Sequence, residues 1–395
     1  MSMSDSIRAR VVEGSWIRKM FEEGVSLKKR LGEENVFDLS LGNPVMEPPP
    51  EFKKELSRLV NDPTPGMHRY MENAGYLETR TAVATRLARE TGIEFKAGNI
   101  VMTCGAAGGL NVVLKTILNP GDEVIVFAPY FVEFRSYIDN HGGITRALPT
   151  DEHFLPKLDE LDAAITPKTK GVIINSPNNP TGVVYSEKLV RQIGELLHQK
   201  EVQHGTQIFL ISDEAYRKIL YDGLKYVPVF HHYRNSIAIV SHSKDLSIPG
   251  ERIGYIAIHP ECSDQQEVMN GFVFCNRVLG FVNAPALMQN VLRNLEDVTV
   301  SIAEYQKKRD FLYRNLVEMG YSVVKPGGAF YFFPQSPVED DVAFVNELLQ
   351  SNILVVPGRG FGGPGYFRVS YCVDDRTIEG SLAGFRKAAL KFNLC

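Results

Sequence analysis

Between Ser236 and Gly254 the chain reads Ser-Ile-Ala-Ile-Val-Ser-His-Ser-Lys-Asp-Leu-Ser-Ile-Pro-Gly-Glu-Arg-Ile-Gly. A strand-like apolar run ends in a turn rich in Ser, Pro and Gly, and that turn carries Lys244 and, further on, Arg252. A lysine at the end of a buried strand is poorly placed for structure alone, because burial disfavours its charged form. The same burial makes the amine a usable nucleophile and base. Two readings stand at this point: a Schiff-base lysine, or a surface lysine in a polar loop.

Outward from this stretch, short apolar runs recur at residues 100–103, 123–127, 171–175, 207–211, 237–240 and 255–258. Several are apolar almost throughout, as expected of parallel strands covered on both faces. Helical periodicity falls between them, for example over 106–118, which ends at Asn119-Pro120-Gly121. The alternation predicts a doubly wound α/β domain with a mostly parallel sheet. Upstream, a helix is expected over 15–29 with Ile17, Met20, Phe21 and Val25 on one face. A strand over 36–41 then runs into Gly42, further helices begin at Glu51 and Tyr76, and a loop covers 61–66. After Pro285 a long helix (287–319) is expected, followed by short strands at 322–324, 330–333, 353–356 and 367–371 and by helices near 339–350 and 375–392. The expected division is a large α/β domain at 48–285 and a smaller α+β domain from 1–47 plus 286–395, on which the N-terminal helix packs.

Length and composition agree with this. At 395 residues the chain is too long for one ordinary core. A hydrophobic content of 44% with 23% charged residues is that of an ordinary globular protein. The net charge of −4 gives no general attraction to nucleic acid or anionic membrane. The polar first ten residues predict no secretory signal, and no uncharged apolar run reaches the roughly 18 residues of a membrane span. Cys104, Cys262, Cys275, Cys372 and Cys395 are scattered and lack CxxC spacing. That argues against a disulfide framework or a metal site and for reduced thiols in the cytoplasm.

In open α/β sheets ligands bind beyond the carboxyl ends of the strands, so the residues just after each run carry the functional information. Residues 104–109, Cys-Gly-Ala-Ala-Gly-Gly, open a helix whose free N–H groups suit a phosphate, or serve helix–strand packing. Asn179 stands in a Ser-Pro-Asn-Asn-Pro-Thr-Gly loop that either aims an amide at a ligand or forms a plain turn. Asp213 ends an apolar run, with Tyr216 three positions on; it is either costly unless it meets a cation or simply a helix N-cap. Arg368 lies inside an apolar strand, where it is either a half-exposed strand arginine or a fork that suits a carboxylate. Taken together, an amine, a buried acid, an Asn–Tyr pair, a phosphate seat with Arg252 and a carboxylate-binding Arg fit a phosphorylated pyridine aldehyde and an amino acid.

The segments Asn179-Pro180-Thr181-Gly182, Asp213-Glu214-Ala215-Tyr216, Ser241 to Gly254 and Phe367-Arg368 occur in the order and approximate spacing of one family. From about residue 36 onward, the chain resembles the fold-type I, pyridoxal-phosphate-dependent aminotransferases of class I/II. The resemblance implies a seven-stranded sheet, the cofactor pyridoxal 5'-phosphate, and a homodimer with shared sites. It implies that Lys244 forms the imine with the cofactor and that Asp213 pairs with its ring nitrogen. Asn179 and Tyr216 would hydrogen-bond its phenolate oxygen, and Phe131 would stack on the ring. Gly105, Ala106 and Ala107 would hold the phosphate through their N–H groups, helped by Ser241, Ser243 and Arg252. Arg368, with Gly42 and Asn179, would take the substrate carboxylate, and Tyr70 would reach the neighbouring subunit's phosphate.

Two residues depart from the pattern. His242 replaces an apolar or small residue and is read as a packing residue or a tuner of the lysine. Ala107 stands where some aspartate-preferring members have a lysine for the distal carboxylate, a charge that Arg18 is one candidate to supply. The expected reaction is transamination of an L-amino acid with a 2-oxo acid, Lys244 acting as the base. A lyase or decarboxylase on the same fold is the alternative. A ligand-sensing module lacks an appended DNA-binding segment, and a nucleotide-dependent oxidoreductase lacks GxGxxG. The substrate side chain stays open, although Phe330, Tyr331, Tyr70 and Phe131 line either an aromatic pocket or the core.

Overall fold

A computed structural model describes residues 3, 7–8, 16–62, 65–295 and 297–394, without the side chains of Ile17, Arg18 and Phe21. Its centre is a seven-stranded sheet in the order β2-β8-β7-β6-β5-β3-β4. These strands are β2 (Ile100–Thr103), β3 (Glu123–Ala128), β4 (Ile144–Pro149), β5 (Thr169–Asn175), β6 (Phe209–Asp213), β7 (Ser236–Ser241) and β8 (Gly254–Ile258), preceded by β1 (Phe37–Asp38). Only β8 runs against its neighbours, β2 and β7; the remaining pairs are parallel.

Alternation along each strand divides its side chains between two cores, one on each face. Val124, Val126, Ile237 and Ile239 enter one, while Ile125, Phe127, Ala238 and Val240 enter the other. Helices cover both faces, which is the doubly wound architecture. Strand β4 is the edge the sequence pattern did not reveal. Its Ile-Thr-Arg-Ala-Leu-Pro is exposed or half-buried throughout, so it carries no continuous apolar run.

The reversed strand matters for the site. Because β8 is antiparallel, its first residue, Gly254, lies opposite Thr103 and Ser241, the last residues of β2 and β7. Arg252 is thereby returned to the carboxyl edge. A Cβ on Gly254 would stand 2.2 Å from the Val240 carbonyl oxygen and 3.1 Å from the Gly105 Cα, so only glycine lets these backbones meet.

Two smaller sheets complete the chain. β9 (Tyr331–Phe332), β11 (Val356–Pro357) and β12 (Phe367–Ser370) form an antiparallel sheet in the order β11-β12-β9, and β1 pairs in parallel with β10 (Ile353–Leu354). The N-terminal helix Trp16–Leu31 packs on this part. A Cβ on Gly24 would meet Leu354 at 3.1 Å, and one on Gly360 would meet Trp16 at 3.3 Å. Its buried face is Met20, Gly24 and Leu27, whereas Val25 is 41% exposed. The periodicity that put Val25 inside is overridden because the helix approaches through glycine.

Two further expectations are corrected. The helix expected over 287–319 is two helices, Ala286–Arg293 and Ile302–Glu318, the second capped by Ser301 accepting from the Glu304 amide. The break is used: the Val300 amide and the Thr299 hydroxyl both donate to the Asp245 carbonyl, at 2.8 and 3.0 Å. Residues 322–324 form no strand; the Ser322 carbonyl accepts one bond, from Gln335 at 2.9 Å. The strands expected at 353–356 divide between the two small sheets.

Overpacking at the β7–β8 seam is expected to be costly. Gly254→Ala should destabilise the protein by about 1–3 kcal/mol in urea unfolding, and an unchanged midpoint would show that the seam yields.

Candidate active site

At the carboxyl edge of the sheet lies a cavity of about 280 Å³. It is lined by Gly42, Ala106, Ala107, Phe131, Asn179, Asp213, Tyr216, Ser241, Ser243, Lys244, Arg252 and Arg368. Most of the residues singled out by sequence therefore meet in one place. Gly105 lies just behind the lining. Tyr70 is elsewhere, 90% exposed on the surface.

Lys244 sits on a single helical turn, His242–Asp245, that directly follows β7. Ser241 caps this turn, its Oγ accepting from the Ser243 amide at 3.3 Å. The Lys244 Nζ donates to the Gly42 carbonyl oxygen and lies 5.5 Å from the Phe330 ring centre. Burial lowers the ammonium pKa to about 8, and Arg368 and Arg252 push the same way, with Cys372 opposing. The amine is thus brought close to neutral pH. Gly42 is required beside it, since a Cβ there would fall 1.8 Å from the Tyr331 hydroxyl.

His242, the unexplained neighbour, does not line the cavity. Its Nδ1 is 3.1 Å from Asp245 Oδ2, and its ring tilts against Tyr255 at 6.1 Å between centres. The packing reading fits these contacts: His242 and Asp245 brace the turn that carries Lys244.

Asp213 is the last residue of β6 and is buried. Asn175 Nδ2 donates to its main-chain oxygen at 3.0 Å and stands 3.4 Å from Oδ2, while Oδ1 has no hydrogen-bond partner among the described residues. Burial raises the carboxyl pKa to about 7, against the Ala215 amide and with the help of Glu214. The N-cap reading is not met, since a turn at 215–218 and no helix follows Asp213. Glu214 is engaged elsewhere, accepting from the Tyr226 hydroxyl at 2.7 Å, and Arg217 pairs with Glu90 at 2.9 Å.

The phosphate-seat candidate is a close-packed cradle. Gly105 begins the helix Gly105–Ile117 at φ +69°, and a Cβ there would press to 2.8 Å from Arg252 Nη2. Glycine is therefore the residue that admits the guanidinium. Arg252 Nη1 donates to the Pro249 carbonyl at 2.8 Å and to Ser243 Oγ at 3.4 Å, and Ser241 Oγ donates to Ser243 Oγ at 2.9 Å. A helix N-terminus, a guanidinium and two hydroxyls converge, which suits an anion.

Arg368, in the middle of the small antiparallel sheet, is 2% exposed. Its Nη1 donates to Asn179 Oδ1 at 3.1 Å and its Nη2 to the Ser40 carbonyl at 2.6 Å, while Nε has no partner among the described residues. The Tyr331 and Phe361 rings hold the guanidinium at 4.6 and 4.7 Å. Tyr331 also joins its hydroxyl to that of Tyr216 at 2.9 Å, and burial drives the Tyr216 pKa well up. This answers the aromatic question in part: Tyr331 and Phe131 line the cavity, whereas Phe330 packs behind Tyr216 at 5.3 Å between ring centres.

Sequence reasoning missed Glu133 and Tyr137, which line the cavity from the short helix Glu133–Asp139. Their spacing of four residues puts both on one helical face, the one signal that could have found them. The Arg18 side chain, considered as a distal cation, lies outside the described residues, and so does Cys395. Among the described residues the other four cysteines are free, no His/Cys/Asp/Glu cluster suits a metal, and no helix is long and apolar enough to cross a membrane.

The family model for aminotransferase class I and II matches residues 34–384. A probable aspartate aminotransferase of Methanocaldococcus jannaschii is 30% identical over 95% of this chain and 97% of its own length. A probable aspartate/prephenate aminotransferase of Thermus aquaticus is 32% identical over 89% and 90%. Among solved structures, an amino transferase from Eubacterium rectale superposes with a TM-score of 0.95 at 39% identity, covering all of both chains. A double mutant of the Thermus thermophilus aspartate aminotransferase does so at 0.87 and 27% identity, over 98% of this chain and all of that one. By sequence, fold and the residues gathered at its carboxyl edge, the chain belongs to the class I and II aminotransferases.

Proposed function

We propose that this cavity moves an amino group between an L-amino acid and a 2-oxo acid with pyridoxal 5'-phosphate as cofactor. The observation that carries the reading is a near-neutral lysine amine and an orphaned, buried carboxylate, Asp213 Oδ1, lining the same cavity as an anion cradle. When bound, this cofactor supplies an aldehyde carbon that combines with amines and a protonated ring that takes up an electron pair.

The residues present suit that group. The N–H groups of Gly105, Ala106 and Ala107 would hold its phosphate with Ser241, Ser243 and Arg252. Asp213 would hold a proton at the ring nitrogen, where a buried carboxylate without a cation is otherwise costly. Asn179 and Tyr216 would bond the phenolic oxygen, and Phe131 would cover the ring. Arg368, its fork held against two rings, would take the substrate carboxylate together with Gly42 and Asn179. Lys244 Nζ, lowered toward neutrality, would take the proton from the substrate Cα and return it.

Around the site we place a large domain at 48–285 and a small one at 1–47 plus 286–395. Exposed Tyr70 fits a homodimer in which each subunit reaches its neighbour's phosphate seat, working in the cytoplasm. The relatives are named for aminotransferase activity, which favours transamination over a lyase or decarboxylase. Their names range over aspartate, prephenate and aromatic amino acids, leaving the side chain open.

Three outcomes are expected. Lys244→Ala should abolish turnover and the absorbance of cofactor linked to the protein; retention of that absorbance ends the assignment. Asp213→Ala should lower kcat/KM for any accepted amino acid by about two to three orders of magnitude, so near-normal turnover would remove its role. In the cofactor-free protein, Asp213→Asn should raise the melting temperature relative to wild type. The folded pKa of Asp213 is raised to about 7, so the native state resists deprotonation. The advantage of Asn should therefore be small near pH 4, grow as pH rises toward 7, and level off above it. A difference independent of pH would mean that Asp213 does not carry the buried charge.

A further inference from the structure

We infer, resting on the transamination reading above, that Glu133 reads the substrate side chain and selects amino acids ending in an N–H donor over dicarboxylic ones. Glu133 lines the cavity together with Lys244 and Arg368. Its Oε2 is buried and has no hydrogen-bond partner among the described residues. Its place in the first turn of Glu133–Asp139 suits a carboxylate at a helix start, and its own amide acts on it. That contact leaves Oε2 unanswered.

The carboxyl is coupled to groups assigned to the substrate. The Arg368 guanidinium acts on it, and the carboxyl in turn acts on the Tyr331 and Tyr137 hydroxyls. Arg368 nevertheless forms no ion pair with it, because the fork is held by Asn179, the Ser40 carbonyl and two rings. Burial raises the Glu133 pKa against this attraction. A charge in this position gains from a donor brought by a ligand.

The cations of the cavity are already committed. Lys244 is the base, Arg252 belongs to the phosphate cradle and Arg368 to the α-carboxylate. Ala107, which also lines the cavity, brings no charge. The second carboxylate of aspartate or glutamate would therefore meet the Glu133 carboxylate and no free cation among the described lining residues. An amide, amine or guanidinium would instead give Oε2 a charge-assisted bond. Discrimination of this kind is large because a polar group left unpaired costs its full desolvation.

The test uses the full-length holoenzyme and Glu133→Gln, which keeps the shape and removes the charge. L-glutamine and L-lysine serve as N–H donors, L-aspartate and L-glutamate as dicarboxylic donors, and L-alanine as the reference, each followed by the single-turnover change in cofactor absorbance. Relative to alanine, wild type should prefer the N–H donors, and Glu133→Gln should shift the donor-to-dicarboxylate ratio by about tenfold or more toward the dicarboxylates. Binding of succinate, which cannot react, should tighten by about tenfold in the variant by calorimetry. A wild-type preference for the dicarboxylates, a uniform change across all donors, or unchanged succinate affinity would overturn the proposal. If no donor reacts with wild type, the transamination reading fails, and succinate binding still decides the role of Glu133. Glu133→Ala carries the same expectations should Glu133→Gln not load cofactor.

Discussion

Lys244, Asp213 and Arg368 share one cavity, and none of the three is joined to an opposite charge by a salt bridge among the described residues. Placing such groups at least partly out of water is unfavourable, and the cost shows in the shifted pKa values of the first two. Arg368 is held by other means: the Asn179 and Ser40 oxygens accept from its guanidinium, and the Tyr331 and Phe361 rings lie against it. The fold holds all three in place and leaves their valences for ligands. A cofactor ring and a substrate carboxylate would supply the missing charges, so binding and stability are coupled through the same atoms.

Holding an unstable constellation demands rigid support, and the support comes from distant segments. The turn bearing Lys244 is capped by Ser241, braced by His242 with Asp245, and tied at the Asp245 carbonyl to Val300 and Thr299. The reversed strand β8 returns Arg252 to the carboxyl edge, where Gly105 and Gly254 permit backbone contact at the anion cradle. The small sheet contributes Tyr331 and Arg368 from adjacent antiparallel strands. Chemistry thus depends on contacts separated by over a hundred residues, such as Asn179 with Arg368.

Much of this was legible because the large sheet is built from strands covered on both faces. Such strands are continuous apolar runs, and the polar residue that ends each run stands out. Lys244, Asp213, Asn179 and the 104–109 loop were found that way, and the family resemblance supplied their roles. Edge strand β4 escaped because one exposed edge needs no apolar run. The break before Ser301 escaped because its purpose, to hold the Asp245 carbonyl, lies elsewhere in the chain. Val25 was misplaced because Gly24, with no side chain to count in a periodicity, forms the contact.

The sequence by itself determined most of the order of elements and, through the family resemblance, the class of chemistry, and it singled out Lys244, because strand ends and turn residues are local signals. The tertiary structure alone decided which polar atoms are left without partners. Glu133 is an ordinary first-turn glutamate in the sequence, and only packing shows its buried Oε2 facing no donor. Likewise, a strand arginine is unremarkable until Tyr331, Phe361 and Asn179 close around it. Satisfaction of a hydrogen bond is a property of surroundings, and surroundings are assembled from residues far apart in the chain.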